Sequence, residues 1–133
     1  MIEKDVSFDL LSVIFSHYKQ NYIPIINEYT HNYVYIIHNK IVGFLIFTIL
    51  YDRCEIIDIF VEEEYRRNKI AQKLINEIQK DYKIENITLE VSIENINALK
   101  LYEKMGFVKT AVRKKYYDNC DGLLMLKEIG GSK

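Results

Sequence analysis

The most constraining feature of this sequence is a strand-like alternation that lies between two helical periodicities. Apolar and polar residues alternate over 87–93, which predicts a strand with one buried and one polar face. Apolar residues recur at helical spacing over 70–78 and again over 98–105, where Gly106 predicts a helix C-cap. A strand placed between two amphipathic helices predicts a sheet with helices packed against it.

The first part of the chain predicts a helix followed by a turn. Ser7 is a predicted N-cap, and four large apolar side chains follow at helical spacing. They are Phe8, Leu11, Phe15 and Tyr18. This helix is expected to end before Pro24, and a second short turn is expected around residues 25–29.

Five further β-rich runs surround the alternating segment. They cover residues 33–38, 41–51, 54–61, 107–117 and 122–126. Asn39-Lys40 and Asp52-Arg53 are predicted to be tight turns between the first three runs. The predicted fold class is α/β (α+β), with a mixed central β-sheet of about six strands flanked by helices on both faces.

Length and charge limit the functional classes. The chain has 133 residues and a formal net charge of −1. This length predicts a single domain over residues 1–129 with a flexible tail at 130–133. The small net charge provides no field that attracts nucleic acid or an anionic membrane. The longest apolar run, 41–50, is about half a membrane span, and no signal-peptide pattern opens the chain. We therefore predict a cytoplasmic protein, monomeric or homodimeric, without a nucleic-acid or membrane partner.

Cysteine and histidine usage predicts neither a disulfide framework nor a metal site. The two cysteines, Cys54 and Cys120, are too few for a framework of bridges. The three histidines, at positions 17, 31 and 38, lack the spacing of zinc ligands.

The chemically most informative segment precedes the helix predicted over 70–78. Arg66, Arg67 and Lys69 crowd a helix N-terminus, where unpaired N–H groups and the helix dipole favour anions. A bound phosphate group would resolve this electrostatic conflict. The alternative is that these are solvated side chains balanced by the glutamates at 62–64, and the segment alone leaves both interpretations open.

Val61 and the segment 65–71, Tyr-Arg-Arg-Asn-Lys-Ile-Ala, resemble the acyl-CoA signature of the GNAT N-acetyltransferases. That signature follows a strand directly and reads (Gln/Arg)-x-x-Gly-x-(Gly/Ala). Arg66 takes its first position and Ala71 its last, while Lys69 stands where the family usually has glycine. Glycine there permits a positive φ and a close approach to the pyrophosphate. At positive φ a lysine would cost about 1 kcal/mol, although its ammonium could itself contact a phosphate.

A second set of motifs is similar to the ribosomal-protein alanine N-acetyltransferases of that family. They have a Leu-Glu-Val strand, an Asn five residues after that Glu, and a helix that ends in Ala-Leu-Tyr-x-x-x-Gly-Phe. The matching residues here are 89–91, Asn95 and 98–107, with Lys100 in place of the alanine of the last motif. Residues 113–117 also look like the family's Arg-Arg-x-Tyr-Tyr run. The resemblance extends from about residue 58 to 117 and implies a GNAT fold.

The resemblance implies that Glu90 is the general base and Tyr102 the general acid of acetyl transfer in a ternary complex. An amine attacks a thioester only as the free base, so a nearby carboxylate can take its proton. A phenol within reach of the departing sulfur can protonate the thiolate. Each residue also has a purely structural interpretation, as a solvated carboxylate and as a core aromatic.

The resemblance also implies acetyl-CoA as co-substrate. The backbone of Ile59 and Val61 is expected to meet the pantetheine amides as an added strand. Asn95 is expected to cap the following helix and, by the resemblance, to contact the CoA arm. The predicted cofactor-binding residues are Ile59, Phe60, Val61, Arg66, Arg67, Asn68, Lys69, Ile70, Ala71, Gln72, Asn95 and Tyr102.

The acceptor is predicted to be a primary amine, either a protein N-terminus or a small amine. The resemblance suggests the N-terminal alanine of a ribosomal protein, but the chain lacks the family's Phe-Pro-Trp stretch and its acidic Glu-Asp pair after Tyr117. A small-molecule or lysine acceptor therefore stays open, as does a non-catalytic acyl-CoA-binding module. RNA binding by the basic stretch 109–117 is a further alternative, for which a solvated strand edge is the favoured interpretation.

Overall fold

A computed structural model describes residues 1–7, 9–10, 12–13, 27–117 and 120–130, and the side chains of 115–117 lie outside this description. Seven strands form one mixed sheet in the order β1-β2-β3-β4-β5-β7-β6. The strands are β1 (Ile2–Lys4), β2 (Thr30–Ile37), β3 (Lys40–Leu50), β4 (Arg53–Val61), β5 (Asn86–Ser92), β6 (Val108–Tyr117) and β7 (Cys120–Glu128). The other elements bounded within the described residues are two helices, α1 (Ile70–Asp81) and α2 (Ile96–Lys104), and a 3-10 turn at Glu63–Tyr65. The predicted mixed sheet with packed helices is confirmed.

The strand that the sequence did not predict is β1. It has only three residues, which is too few to show an alternation. It pairs antiparallel with β2, where Ile2 lies opposite Tyr35. Its place at the sheet edge raises the strand number from the expected six to seven.

The segment after β1 contains the predicted helix cap. The Ser7 hydroxyl accepts a hydrogen bond of 3.3 Å from the Leu10 N–H, as an N-cap does. Residues 9–10 and 12–13 are helical. The predicted apolar positions Phe8, Leu11, Phe15 and Tyr18, as well as Pro24, lie outside the described residues. Of the turn expected at 25–29, residues 28–29 form a turn and 25–26 lie outside the description.

Both predicted hairpin turns of the meander are present, each one residue earlier than expected. His38 and Asn39 connect β2 to β3 with φ angles of 51° and 63°, the signs that a type I′ turn requires. Tyr51 and Asp52 connect β3 to β4. Lys40 and Arg53, which the sequence placed in the turns, instead pair within the strands.

Most of the core lies on one face of the sheet, beneath the two helices. α1 buries Ile70, Leu74, Ile75 and Ile78 there. α2 adds the buried Tyr102. A smaller cluster of Val34, Phe44 and Ile46 lies on the opposite face, with Val6 packed against it. None of the described helices has the length and apolar character needed to cross a membrane.

The chain end is tied to the sheet as far as it is described. The N–H groups of Ile129 and Gly130 both donate to the Glu85 carbonyl, at 2.8 and 3.1 Å. The remainder of the predicted tail, 131–133, lies outside the described residues.

Candidate active site

The sheet opens between its two central strands. β4 and β5 run parallel and pair only through Arg53–Glu55 and Asn86–Thr88. Beyond these residues the two strands, both fully described, have no paired residues. The pairing of β3 with β4 shifts at this point because Ile57 is an extra residue between Ile56 and Asp58. Such a bulge bends the strand, and it directs the second half of β4 away from β5.

The exposed edge of β4 presents backbone groups toward this opening. The Glu62 N–H donates to Val42 of β3 at 2.8 Å, so Ile59 and Val61 direct their backbone groups the other way. Two of those groups are engaged locally: the Ile59 N–H donates to Asp58 Oδ1 at 2.9 Å, and the Val61 carbonyl accepts from Arg66 Nε at 2.8 Å. Within the described part of the chain, the Ile59 carbonyl and the Val61 N–H are left as one acceptor and one donor for an extended ligand.

The segment after β4 leads into a helix N-terminus without a side-chain cap. The first intrahelical bond runs from the Lys73 N–H to the Lys69 carbonyl at 2.9 Å. The N–H groups of Ile70, Ala71 and Gln72 precede that bond and have no intrahelical acceptor. Unpaired donors of this kind, together with the helix dipole, favour an anion such as a diphosphate.

The loop before α1 holds two non-glycine residues in the left-handed region. The φ angle is 70° at Arg67 and 63° at Lys69. The backbone at Lys69 therefore has the conformation expected for the family's glycine. Asn68 Nδ2 donates to the Tyr65 carbonyl at 3.1 Å and holds this loop closed.

Arg66 has a structural contact that the sequence did not indicate. Besides its bond to the Val61 carbonyl, its guanidinium lies 5.7 Å from the centre of the Phe60 ring. Both contacts fasten the loop to the end of β4. Its proposed contact with a phosphate would be additional to this role.

Glu90 lies on the polar face of β5. Its neighbours Leu89 and Val91 are buried on the helix-covered face, so Glu90 points to the opposite one. Only 16% of its side chain is exposed. Arg113 Nε of β6 lies 3.3 Å from Glu90 Oε2, an ion-pair distance.

Tyr102 belongs to the other face. It is 7% exposed and lies in the same buried cluster as Leu89 and Val91. Its ring meets that of Phe107 edge to face, with centroids 5.7 Å apart. Glu90 and Tyr102 therefore lie on opposite sides of the sheet, on the strand that borders the opening and on the helix that follows it.

The start and end of α2 have the predicted caps. Asn95 Oδ1 accepts from the Ala98 N–H at 3.2 Å, which confirms Asn95 as the N-cap. Gly106 has a φ of 101°. The Phe107 N–H donates to the Tyr102 carbonyl at 2.9 Å, as in a Schellman motif. This second cap fixes the C-terminal turn of α2, which contains Tyr102.

Buried Cys54 is not prepared to act as the nucleophile of an acyl-enzyme. Burial, assisted by the charge of Glu55, raises the pKa of the Cys54 thiol to about 12. Cys120 Sγ lies 3.0 Å from the Ser92 hydroxyl at the end of β5. Among the described residues no cluster of histidine, cysteine and carboxylate side chains has the arrangement of a metal site.

The basic stretch on β6 is divided among three acidic partners. Lys109 lies 4.0 Å from Glu103, Arg113 lies against Glu90, and Lys114 lies 3.9 Å from Asp121. β6 forms the edge of the sheet, as the solvated-edge interpretation predicts. The contact of Arg113 with Glu90 was missed, because nothing in the sequence indicates that β7 inserts between β5 and β6.

Comparison with known proteins identifies relatives over most of the chain. The acetyltransferase (GNAT) family model matches residues 5–107. An N-alpha-acetyltransferase of Saccharolobus solfataricus is 36% identical over 114 aligned residues, which cover 73% of this chain and 68% of that protein.

Solved structures share the fold. The ribosomal-protein-S18-alanine N-acetyltransferase from Escherichia coli superimposes with a TM-score of 0.82 over 100% of this chain and 97% of its own, at 23% identity. An acetyltransferase from Bacillus anthracis in complex with acetyl coenzyme A gives a TM-score of 0.72 at 26% identity, over 82% of this chain and 70% of its own.

Proposed function

The chain belongs to the acetyltransferase (GNAT) family, and from that membership we propose that it transfers an acetyl group from acetyl-CoA to the N-terminal amine of a protein. The single observation that carries this proposal is the opening between β4 and β5, with Glu90 on one face of the sheet and Tyr102 on the other. An acyl donor that passes through the opening would lie between a base and an acid. Acceptor and donor would then approach from opposite sides.

The residues proposed to bind acetyl-CoA fit the chemistry of that molecule. The diphosphate would lie against the N–H groups of Ile70, Ala71 and Gln72, with Lys69 beside them. The pantetheine amides match the donor and acceptor that Val61 and Ile59 direct into the opening. When bound, acetyl-CoA supplies the thioester carbonyl that an amine attacks.

The proton transfers would then fall to two side chains. The N-terminal ammonium has a pKa of about 7.7–8.0 and must lose its proton before it attacks. The Glu90 carboxylate takes that proton, directly or through a water. The neutral amine attacks the thioester carbonyl, the C–N bond forms and the C–S bond breaks, and the Tyr102 hydroxyl donates a proton to the departing thiolate. The acetyl group thus passes directly between two substrates bound at the same time.

Similarity to an N-alpha-acetyltransferase supports a protein N-terminus as the acceptor. A ribosomal protein that begins with alanine is the first candidate, since the related E. coli structure has that acceptor in its name. A lysine side chain or a small amine is the alternative acceptor. A module that binds acyl-CoA without turnover is the alternative of another class. A cytoplasmic location and a monomeric or homodimeric state remain predictions.

The test is thiol release from acetyl-CoA with three acceptors: a peptide with N-terminal alanine, the same peptide N-blocked but containing lysine, and spermidine. We expect the free N-terminus to react fastest. Faster reaction of the blocked peptide would instead indicate a lysine acceptor, and faster reaction of spermidine would indicate a small-amine acceptor. Tight acetyl-CoA binding with no turnover on any of them would favour the binding module.

Replacement of the base tests the mechanism itself. Glu90→Gln should lower kcat at least about 100-fold at neutral pH, because the ammonium then loses its proton only to solvent. The pH optimum should move upward, since at higher pH more of the amine is already neutral. Glu94→Gln is the matched control, because Glu94 is an exposed glutamate only four residues away. Equal rates for Glu90→Gln and the unchanged protein across the pH range would contradict the assignment.

A further inference from the structure

Arg113 is a cation that the fold brings against Glu90 from two strands away. On β7, Gly122 pairs with Ser92 of β5 on one side and with Arg113 of β6 on the other. Residues paired across strands point to the same face, so Arg113 shares the polar face with Glu90. In this row Gly122 lies between Ser92 and Arg113, so β7 places no side chain between these two positions.

The Arg113 side chain lies against one particular oxygen of the Glu90 carboxylate. Arg113 Nε lies 3.3 Å from Glu90 Oε2, while the Arg113 side chain is 54% exposed and that of Glu90 only 16%. Oε2 itself is buried and accepts no hydrogen bond within the described structure. The exposed part of the Glu90 side chain therefore lies elsewhere than at Oε2.

A buried carboxylate oxygen without a hydrogen-bond donor is costly unless an opposite charge lies close to it. Arg113 supplies that charge and fixes which oxygen turns inward. The arrangement is directional, because the guanidinium approaches from β6, on the far side of β7 from the opening. Because Oε2 lies against Arg113, Oε1 is the oxygen left to take a proton.

We propose that Arg113 is a positioning residue for acetyl transfer: it holds Glu90 by Oε2 and directs Oε1 toward the amine. This inference rests on the proposed role of Glu90 as general base. Arg113 itself neither binds the amine nor moves a proton. It acts through the orientation and charge balance of the carboxylate.

The same strand provides a matched control. Lys109 is a β6 cation that pairs with Met125, a residue buried in the core beneath the helices, so it lies on the opposite face from Arg113. Its acidic partner is Glu103 of α2. Lys109→Gln removes one positive charge from β6 without touching Glu90.

The kinetic test compares Arg113→Gln, Arg113→Lys and Lys109→Gln in acetyl transfer to the peptide with N-terminal alanine. Arg113→Gln should lower kcat about tenfold or more, because a displaced base loses alignment, and should leave the KM for acetyl-CoA unchanged. Arg113→Lys should recover most of the loss. In a Glu90→Gln background, Arg113→Gln should have no further effect on kcat.

A second readout does not depend on the acceptor. In thermal unfolding without ligand, Arg113→Gln should lower the melting temperature more in the unchanged protein than in the Glu90→Gln background. Only the unchanged protein has the carboxylate whose charge Arg113 balances. This double-mutant cycle isolates the contact between the two side chains. Equal shifts in both backgrounds would overturn the proposed contact.

The outcomes separate this inference from the proposed function. If Glu90→Gln is fully active, the proposed base is wrong. If Glu90→Gln is impaired while Arg113→Gln matches the unchanged protein, only the role of Arg113 is wrong. A loss in Arg113→Gln that Lys109→Gln reproduces, or that persists undiminished in the Glu90→Gln background, also overturns the positioning role.

Discussion

Lys69 holds a left-handed backbone conformation at the start of α1. Its φ of 63° is one that side chains with a Cβ adopt at a cost of about 1 kcal/mol or more. The family's usual glycine would avoid this cost. A lysine in this conformation places an ammonium beside the helix N–H groups, where a diphosphate is proposed to bind. Strain and charge thus meet in one residue, and substitutions can separate them.

Two variants of Lys69 separate the effect of backbone strain from the effect of the side-chain charge. Lys69→Gly should raise the melting temperature of the ligand-free protein by about 3 °C, as expected for relief of about 1 kcal/mol in a chain of this size. It should also weaken acetyl-CoA binding. Lys69→Met keeps the strain and removes the charge, so it should weaken binding without stabilising the protein. Calorimetric titration gives the affinities, and undiminished affinity in Lys69→Met would exclude a contact of the ammonium with phosphate.

At this scale the sequence predicted residues whose role is local. Asn95 as a helix cap and Gly106 as a C-cap are both confirmed, because a cap requires only neighbours within a few residues. The contact of Arg66 with the Val61 carbonyl was not anticipated, since a signature read as a ligand site does not show how its loop closes on the preceding strand.

The element that determines the site is β4, because its bulge separates it from β5 and its edge faces the opening. Gly43 of β3 lies behind it, where β3, β4 and α1 meet. A Cβ atom at Gly43 would lie 3.0 Å from the Phe60 carbonyl oxygen and 3.5 Å from Ile70 Cγ2. The first of these neighbours is backbone and cannot move without shifting β4.

Gly43→Ala should therefore lower the free energy of unfolding by about 1–3 kcal/mol, as overpacking of a tight core does. It should also weaken acetyl-CoA binding, because the backbone of β4 and the first residue of α1 are both displaced. Denaturant unfolding and calorimetric titration measure the two effects. A variant as stable as the unchanged protein, with equal affinity, would show that β4 tolerates the shift.

Element boundaries were predicted less well than element types. The two hairpin turns lie one residue earlier than expected, because Lys40 and Arg53 continue the strand pairing. β1 was not expected, since three residues show no periodicity and its pairing with β2 is formed across about thirty intervening residues.

Across the whole molecule, a polar network joins the first strand to the sheet and to α1. The Tyr33 hydroxyl donates to Asp81 Oδ2 at 2.6 Å, and Lys4 Nζ lies 2.8 Å from the same carboxyl group and 3.0 Å from Glu77. The hydrogen bond from Lys4, followed by that from Tyr33, lowers the pKa of Asp81 below its usual 3.8. These contacts connect residues up to 77 positions apart.

The network predicts an acid-dependent stability. A carboxyl group with a lowered folded-state pKa stabilises the protein above its unfolded pKa, and that contribution is lost as the pH falls through the folded value. Asp81→Asn should lower the melting temperature at pH 7, and the difference from the unchanged protein should shrink below about pH 4. Asp52→Asn, at an exposed turn, is the control. A difference for Asp81→Asn that is constant from pH 7 to pH 3 would contradict this account.

The sequence by itself determined the kinds of elements from β2 onward, their order, the caps of α2 and the residues proposed to carry the family's chemistry. All of these depend on residues near one another in the chain, where periodicity and motif spacing are visible. Only the tertiary structure decided that β4 leaves β5 after three paired residues, and that β7 lies between β5 and β6. These features depend on strand pairings between distant segments, and through them Glu90 and Tyr102 lie on opposite sides of an opening while Arg113 reaches Glu90.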